Sequence, residues 1–295
     1  MGTRITVEVS SEDQQAGQQA IAAVMAEMRR IDRAMSPYRP DSELARLNQH
    51  AADRPIPVSQ ELFALLQRAL SYSRLTNGAF DITFASAGFL YDYRQHKKPD
   101  KAALYKAVSR ISYHNVVLDP ATHSVHFLKP GVKIDLGGIG KGHAVDQAIR
   151  LLRKRAIENA LVTAGGDTRV IGTRWGRPWQ IGIRDPRHRN KMVAMIPLQD
   201  VAVSTSGDYE RYFEENGVRF HHIIDPKTGD SARTLQSVTI IGPDATTTDA
   251  LSTSVFVMGP ADGLRLINRL EDIDAIIVDS QGVMHYSDGL EPASK

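Results

Sequence analysis

The sequence predicts an α+β fold: mixed or antiparallel sheets flanked by helices, packed as two close lobes within one domain spanning residues 1–295. Helical spacing of apolar residues dominates the first quarter of the chain, and strand-like segments follow one another between residues 168 and 224. Helix and strand never alternate in the strict order of a doubly wound sheet. The length suits one large domain or two packed lobes. Hydrophobic residues at 42% and charged ones at 24% match an ordinary globular chain. A net charge of +2 sets up no broad field toward nucleic acid or anionic lipid. The short basic runs at 150–155 and 184–191 read as solvated faces. Cysteine is absent, which excludes disulfides, thiolate metal sites and cysteine nucleophiles. No apolar run approaches the roughly 20 residues that span a bilayer. Residues 1–3 lead straight into a strand-like alternation, without a signal peptide.

Residues 3–9 alternate Ile5, Val7 and Val9 with polar neighbours and predict a half-buried strand. Ser10 or Ser11 is expected to cap a helix reaching Ala34, buried through Ile21, Val24, Met25, Met28 and Ile31. A proline-punctuated loop follows and holds Tyr38 between Pro37 and Pro40. Ser42 starts a short helix, and Ser59 caps a longer one that stops near Asn77-Gly78. Residues 91–99 read as a polar, mobile loop. Residues 116–118 and 125–128 form a hairpin pattern. Val132, Ile134 and Leu136 predict a strand that leads into a glycine loop and a helix from about 141 to 155. A short strand at 160–163 ends in a second glycine turn carrying Asp167. Strands are expected at 168–173, 179–184, 192–197, 201–206, 219–224 and 235–241. Helices follow at 246–258 and 262–270, and strands at 275–278 and 283–286.

Three polar clusters carry possible chemistry. The first is the loop of Gly137, Gly138, Gly140 and Gly142, with Asp135 before it and Lys141 inside it. Glycines admit close backbone approach, and the N–H groups of the following helix favour an anion. The spacing matches neither the dinucleotide fingerprint nor the Walker motif, because His143 stands where the latter needs lysine. A tight strand-to-helix turn accounts for the glycines equally well. The second cluster is His221-His222 followed by the turn Asp225-Pro226-Lys227-Thr228-Gly229. Adjacent residues on an extended segment face opposite ways, so one histidine at most enters a given site. A neutral imidazole there would suit a general base, and a surface histidine is the simpler account. The third cluster places Asp249, Ser252 and Thr253 on one helix face. Their hard oxygens suit Mg²⁺, unless Thr248 or Asp249 merely caps the helix.

Seven motifs, taken in order, resemble a known family: Met1-Gly2-Thr3, Met35-Ser36-Pro37-Tyr38, Ala79-Phe80-Asp81, the stretch from Asp135 to Gly142, Ser204-Thr205-Ser206-Gly207-Asp208-Tyr209, the stretch from His222 to Gly229, and Asp249 to Thr253. The chain resembles the ApbE-type FAD:protein FMN transferases over nearly its whole length. The resemblance implies an ApbE-like fold and Mg²⁺-dependent transfer of FMN from FAD to a threonine or serine hydroxyl of a target flavoprotein, with release of AMP. It implies FAD contacts at Met1, Tyr38, Ala79, Phe80, Asp81, Asp135, Lys141 and Ile223, and Mg²⁺ ligands at Gly138, Asp249, Ser252 and Thr253. His222 would be the base. The acceptor would belong to a membrane redox complex. The family's opening Met-Gly-Thr normally follows an export leader, so a trimmed chain is expected, facing the periplasm or the outer side of the inner membrane. Any membrane link would run through a lost N-terminal anchor; a native leaderless form stays open. Gly140 stands where the family more often has alanine. An Mg²⁺-dependent FAD pyrophosphatase and a non-catalytic FAD-binding protein are the alternatives.

Overall fold

The computed structural model describes residues 2–188 and 191–290, so the expected FAD contact at Met1 lies outside the described residues. In chain order the elements are β1 (Ile5–Val9), α1 (Gln14–Met35), α2 (Glu43–His50), β2 (Ile56–Pro57), α3 (Gln60–Leu75), α4 (Ala85–Gly88) and α5 (Lys101–Val108). Next come β3 (Val116–Asp119), β4 (Ser124–Phe127), α6 (Gly140–Lys154), β5 (Ala160–Ala164), β6 (Asp167–Ile171), β7 (Trp179–Arg184), β8 (Met192–Leu198) and β9 (Ala202–Gly207). The chain continues through β10 (Tyr212–Glu215), β11 (Val218–His221), β12 (Leu235–Gly242), α7 (Ala245–Met258), α8 (Pro260–Ile267), β13 (Asp274–Asp279) and β14 (Met284–Tyr286).

The expected α+β class holds. A seven-stranded sheet runs in the order β1-β5-β6-β9-β12-β13-β14, with antiparallel pairing throughout. Helices α6 and α7 pack on this sheet and on each other, and α1 lies against α6. Every residue of β12 is buried, as a strand covered on both faces requires. Smaller sheets form from β2-β4-β3, from β7-β8 and from β10-β11. One continuous apolar core takes residues from α1, α3, α6, α7 and the large sheet. An aromatic satellite of Tyr91, Phe213, Phe220 and Ile224 lies under the β10-β11 hairpin.

Several local expectations change. Helix α1 starts at Gln14, because Asp13 rather than a serine accepts from Ala16 N–H at 2.9 Å. The 91–99 segment is anchored rather than free: Tyr91 donates to the Gly229 carbonyl, Tyr93 donates to the His221 carbonyl, and their rings stack 5.9 Å apart. Helices α4 and α5 and strand β10 carry no clear sequence pattern. The segment from Val132 to Leu136 is extended but joins no sheet. The Asn48 side chain takes the place of a neighbouring strand, accepting from Ile134 N–H at 2.8 Å and donating to its carbonyl at 2.9 Å.

The α6–α7 crossing has no room for a side chain at one glycine. A Cβ on Gly142 would lie 2.1 Å from the Ala245 carbonyl oxygen, whereas one on Gly140 would meet ordinary contact with Leu136 at 3.5 Å. Gly140→Ala is expected to leave stability equal or raise it by about 0.5–1 kcal/mol through helix propensity. Gly142→Ala is expected to cost about 2 kcal/mol or more through overpacking. Urea denaturation of both variants beside wild type checks the pair.

Candidate active site

Three chain segments that are distant in sequence meet at one buried ion cluster. Lys141, in the first turn of α6, donates to Asp249 Oδ1 of α7 at 2.9 Å and lies 2.7 Å from Asp167 Oδ2 at the start of β6. The second Asp249 oxygen accepts from Gly142 N–H at 2.9 Å. Both carboxylates are 1% exposed. Burial first, and the Asp249 charge second, push the Asp167 carboxyl well above its ordinary value, against the pull of Lys141 and Ser204. Burial acts to lower the Lys141 ammonium, but the two carboxylates reverse this and raise it.

Asp249 is available for this because other acids cap α7. Asp244 accepts from Thr247 N–H at 2.9 Å. Asp146, reaching across from α6, accepts from Ala245 N–H at 3.0 Å and Thr246 N–H at 2.9 Å, and is paired with Arg169 at 2.6 Å. The helix-start donors are therefore filled without Thr248 or Asp249.

The glycine loop covers the cluster. A Cβ on Gly138 would come within 3.1 Å of Thr253 Oγ1 and 3.2 Å of the Phe80 ring, which fixes how closely loop, helix and aromatic ring approach. Ser252 donates to the Asp249 carbonyl at 2.9 Å and shares a hydrogen bond with Ser206 at 2.8 Å. Thr253 also lies 3.4 Å from the Ser206 hydroxyl. Asp135 accepts from Gly137 N–H, while its partial burial raises its pKa.

Tyr38 stands at the rim, 75% exposed, its ring centroid 6.1 Å from Phe89. Burial of its hydroxyl end and the Asp135 charge raise its pKa, with Arg211 and Arg94 opposing. Ala79 and Ile223 sit at the ends of the flanking turns, and Ile223 is buried. Asp81 faces inward: its oxygens accept from Thr83 N–H, Thr83 Oγ1 and Tyr113 N–H at 2.8, 2.6 and 2.7 Å. Its carboxylate therefore fixes the turn, and only its backbone is left to meet a ligand.

The two histidines separate as their spacing requires. His221 is a core residue, held by the Ala232 carbonyl at 2.6 Å and edge-on to Phe256. His222 lies on the opposite side, where its buried Nδ1 has no hydrogen-bond partner among the described residues. Burial lowers the His222 imidazole to about 3, helped by His221, Arg211 and Lys141. Burial lowers His221 to about 4.

No group of three or more His, Cys, Asp or Glu side chains among the described residues is placed to hold a metal. The donor set here is of another kind. Two buried carboxylates share one ammonium, Asp167 Oδ2 has no aligned hydrogen-bond donor, the Ser252 and Thr253 hydroxyls lie alongside, and the Gly137 carbonyl accepts from Lys141 at 3.2 Å. All-oxygen donors with few acids fit Mg²⁺, which keeps phosphate and water in its shell. A cavity of about 460 Å³ lined by Ser10, Glu12, Glu158, Asn159 and Trp175 lies at the other end of α6.

Asp146, Asp167, Ser206 and Arg211 were not among the candidate residues. Asp167 carried a signal as the acid closing a glycine turn, and Ser206 lies within the Ser204–Tyr209 motif; Asp146 and Arg211 carried none.

The profile described as the ApbE family matches residues 1–277. The FAD:protein FMN transferase of Treponema pallidum (strain Nichols) is 35% identical over 277 residues, covering 88% of this chain and 76% of that protein. The one from Klebsiella pneumoniae (strain 342) is 32% identical over 283 residues, covering 94% and 86%. The crystal structure of the ApbE protein of Thermotoga maritima MSB8 superposes with a TM-score of 0.91 at 38% identity, covering 98% of this chain and 95% of that one. The flavin transferase ApbE of Vibrio cholerae gives 0.88 at 28% identity, covering 99% and 96%.

The depressed histidine values fix a pH expectation. An imidazole with its folded pKa below the unfolded value of about 6.5 resists protonation, so native stability falls as pH drops below 6.5 toward the folded value. In the ligand-free protein, the ring nitrogen shifts of His221 and His222 are expected to stay those of neutral imidazole at pH 5.5. A midpoint for His222 near 6.5 in an NMR titration would contradict the buried, partnerless Nδ1.

Proposed function

This chain belongs to the ApbE family and is an FAD:protein FMN transferase, and from that premise we propose an Mg²⁺-dependent transfer of FMN to a threonine or serine hydroxyl of an acceptor flavoprotein, with release of AMP. The observation that carries the reading is the junction of Asp249 with the glycine loop through Gly142 N–H and Lys141.

In the proposed reaction FAD binds with its diphosphate over the glycine loop, where the N–H groups at the α6 N-terminus favour an anion. Tyr38, with Phe89 beside it, offers an aromatic face to a ring of FAD, and Ala79, Phe80, Asp81, Asp135 and Ile223 are proposed to complete the lining. The Gly138 carbonyl, Asp249, Ser252 and Thr253 would hold Mg²⁺, which supplies neutralisation of the diphosphate charge. The acceptor hydroxyl oxygen attacks the phosphorus of the FMN half. The new O–P bond forms as the bond from that phosphorus to the bridging oxygen breaks, and AMP departs with the electron pair. His222 Nδ1, without a hydrogen-bond partner among the described residues, takes the hydroxyl proton. At about 3 the imidazole is a weak base in the free protein; the bound diphosphate, being anionic, raises it toward a useful value.

The acceptor is proposed to be a flavoprotein of a membrane redox complex, met in the periplasm or on the outer face of the inner membrane. No described helix is long and apolar enough to cross a membrane.

Incubation with FAD, Mg²⁺ and a threonine-bearing acceptor is expected to release AMP in step with an FMN mass increment on the acceptor. AMP release at the same rate without acceptor would favour the pyrophosphatase, and retention of FAD without AMP would favour a binding protein. Asp249→Ala is expected to lose the Mg²⁺-dependent rate. His222→Ala is expected to lower transfer by roughly 10²–10⁴-fold with FAD affinity little changed. A collapse of affinity instead would make His222 a binding residue.

A further inference from the structure

Arg211 stands out among the arginines around the site. Arg184 pairs with Glu210, Arg187 and Arg219 share Asp208, and Arg233 pairs with Asp230. Arg211 lies between them in the fold, is exposed, and has no acid paired with its guanidinium among the described residues. Arg94, which also acts on Tyr38, has no acid paired with it among the described residues either; Arg211 is distinguished by its backbone link to His222.

Its position says where that anion lies. The β10-β11 ladder ends at the Tyr212–His221 pair, and Arg211 and His222 are the next residues beyond it at the open end of the hairpin. The His222 N–H donates to the Arg211 carbonyl at 3.1 Å, which holds this outer pair together. The two residues are therefore held side by side, and continuing the alternation of the ladder by one residue would set their side chains on one face. The Arg211 charge opposes the raised pKa of Tyr38 and Asp135 and helps to lower His222, in keeping with a place near that rim. Lys141, the other cation of the site, is already matched by Asp167 and Asp249.

Resting on the transferase reading, we propose that Arg211 is a further catalytic residue whose guanidinium binds the non-bridging oxygens of the phosphoryl group that is transferred, the phosphate of the FMN half. In an in-line displacement the base sits with the incoming hydroxyl, and the leaving AMP lies on the opposite side of the phosphorus. A group beside His222 thus reaches the central phosphoryl oxygens and not the AMP phosphate. A planar fork of N–H donors matches two such oxygens at once.

The product nucleotides separate the two phosphates. Fluorescence titration of the full chain with FMN, and competition titration with AMP, are compared for wild type, Arg211→Ala and Arg211→Lys. Arg211→Ala is expected to raise the FMN Kd by roughly tenfold or more and to leave the AMP Kd within twofold. It is expected to lower kcat for transfer by roughly 10²–10³-fold. Arg211→Lys keeps the charge without the fork and is expected to fall between. Thermal melting of both variants should match wild type, since the side chain is exposed. An unmoved FMN Kd, an equal loss for AMP, or a change confined to the KM for the acceptor would each overturn the proposal; the last would make Arg211 a docking residue for acidic groups of the acceptor. Wild-type turnover of FAD in the same assay keeps the two readings apart. If wild type fails to transfer FMN, the transferase reading fails, and if it transfers while the FMN Kd of Arg211→Ala is unmoved, only the role of Arg211 fails.

Discussion

The structure depends on how two buried carboxylates, Asp167 and Asp249, are held around the single ammonium of Lys141. Each comes from a different place: the turn between β5 and β6, the second turn of α7, and the first turn of α6. Burying one such acid without a partner costs several kcal/mol, so the three segments are bound to one arrangement. The crossing of α6 and α7 closes to backbone contact at Gly142, which sets Gly142 N–H on the second oxygen of Asp249. Asp146 fastens the same crossing one turn further along, by filling the donors at the start of α7. Packing, capping and charge thus fix the same geometry from three directions.

A separate device positions His222. The β10-β11 hairpin is a short, two-stranded ribbon, a unit that is marginal alone. It is held by the stacked and tilted rings of Tyr91, Tyr93, Phe213 and Phe220 and by the tyrosine hydroxyls reaching Gly229 and the His221 carbonyl. His221 turns inward as an anchor, and His222 on the opposite side keeps its Nδ1 without a partner among the described residues. The Asp-Pro-Lys-Thr-Gly turn after them closes with Gly229 at φ +70°, pressed on α5. The proposed base and the buried ion cluster are thus built on two independent supports that meet only at the site.

Much of this was legible wherever the physics is local. Ser42 and Ser59 cap their helices as expected, because a cap is a contact between residues three apart. The separation of His221 from His222 followed from strand periodicity alone. The strand expected at Val132 to Leu136 fails because an asparagine side chain, 86 residues away, replaces the neighbouring strand. Asp146 carried no signal, since its partners at Ala245 and Thr246 are 99 and 100 residues distant. Asp81 matched a family motif, yet nothing local revealed that Tyr113 would claim one of its oxygens. Arg211 is invisible for the same reason: in sequence it is one of several arginines, and only its backbone link to His222 distinguishes it.

The charge layout bears on why a divalent cation belongs in the proposed reaction at all. With both acids ionised, Lys141, Asp167 and Asp249 sum to one negative charge beneath the loop where the diphosphate of FAD is proposed to lie, a charge that the raised Asp167 carboxyl lessens. Asp135 adds another carboxylate at the loop edge, with its pKa raised by burial. A doubly charged diphosphate approaching this surface meets repulsion that one exposed arginine does not offset. In a partly buried site such repulsion is far stronger than in water. The resting site is therefore poorly suited to FAD alone and well suited to FAD together with a hard cation. The same acids that would repel the substrate by itself are the ones whose oxygens would hold the ion that admits it. The uncompensated positive groups lie on the other side, beside His222, where an uncharged hydroxyl enters and charge builds up on the phosphoryl oxygens.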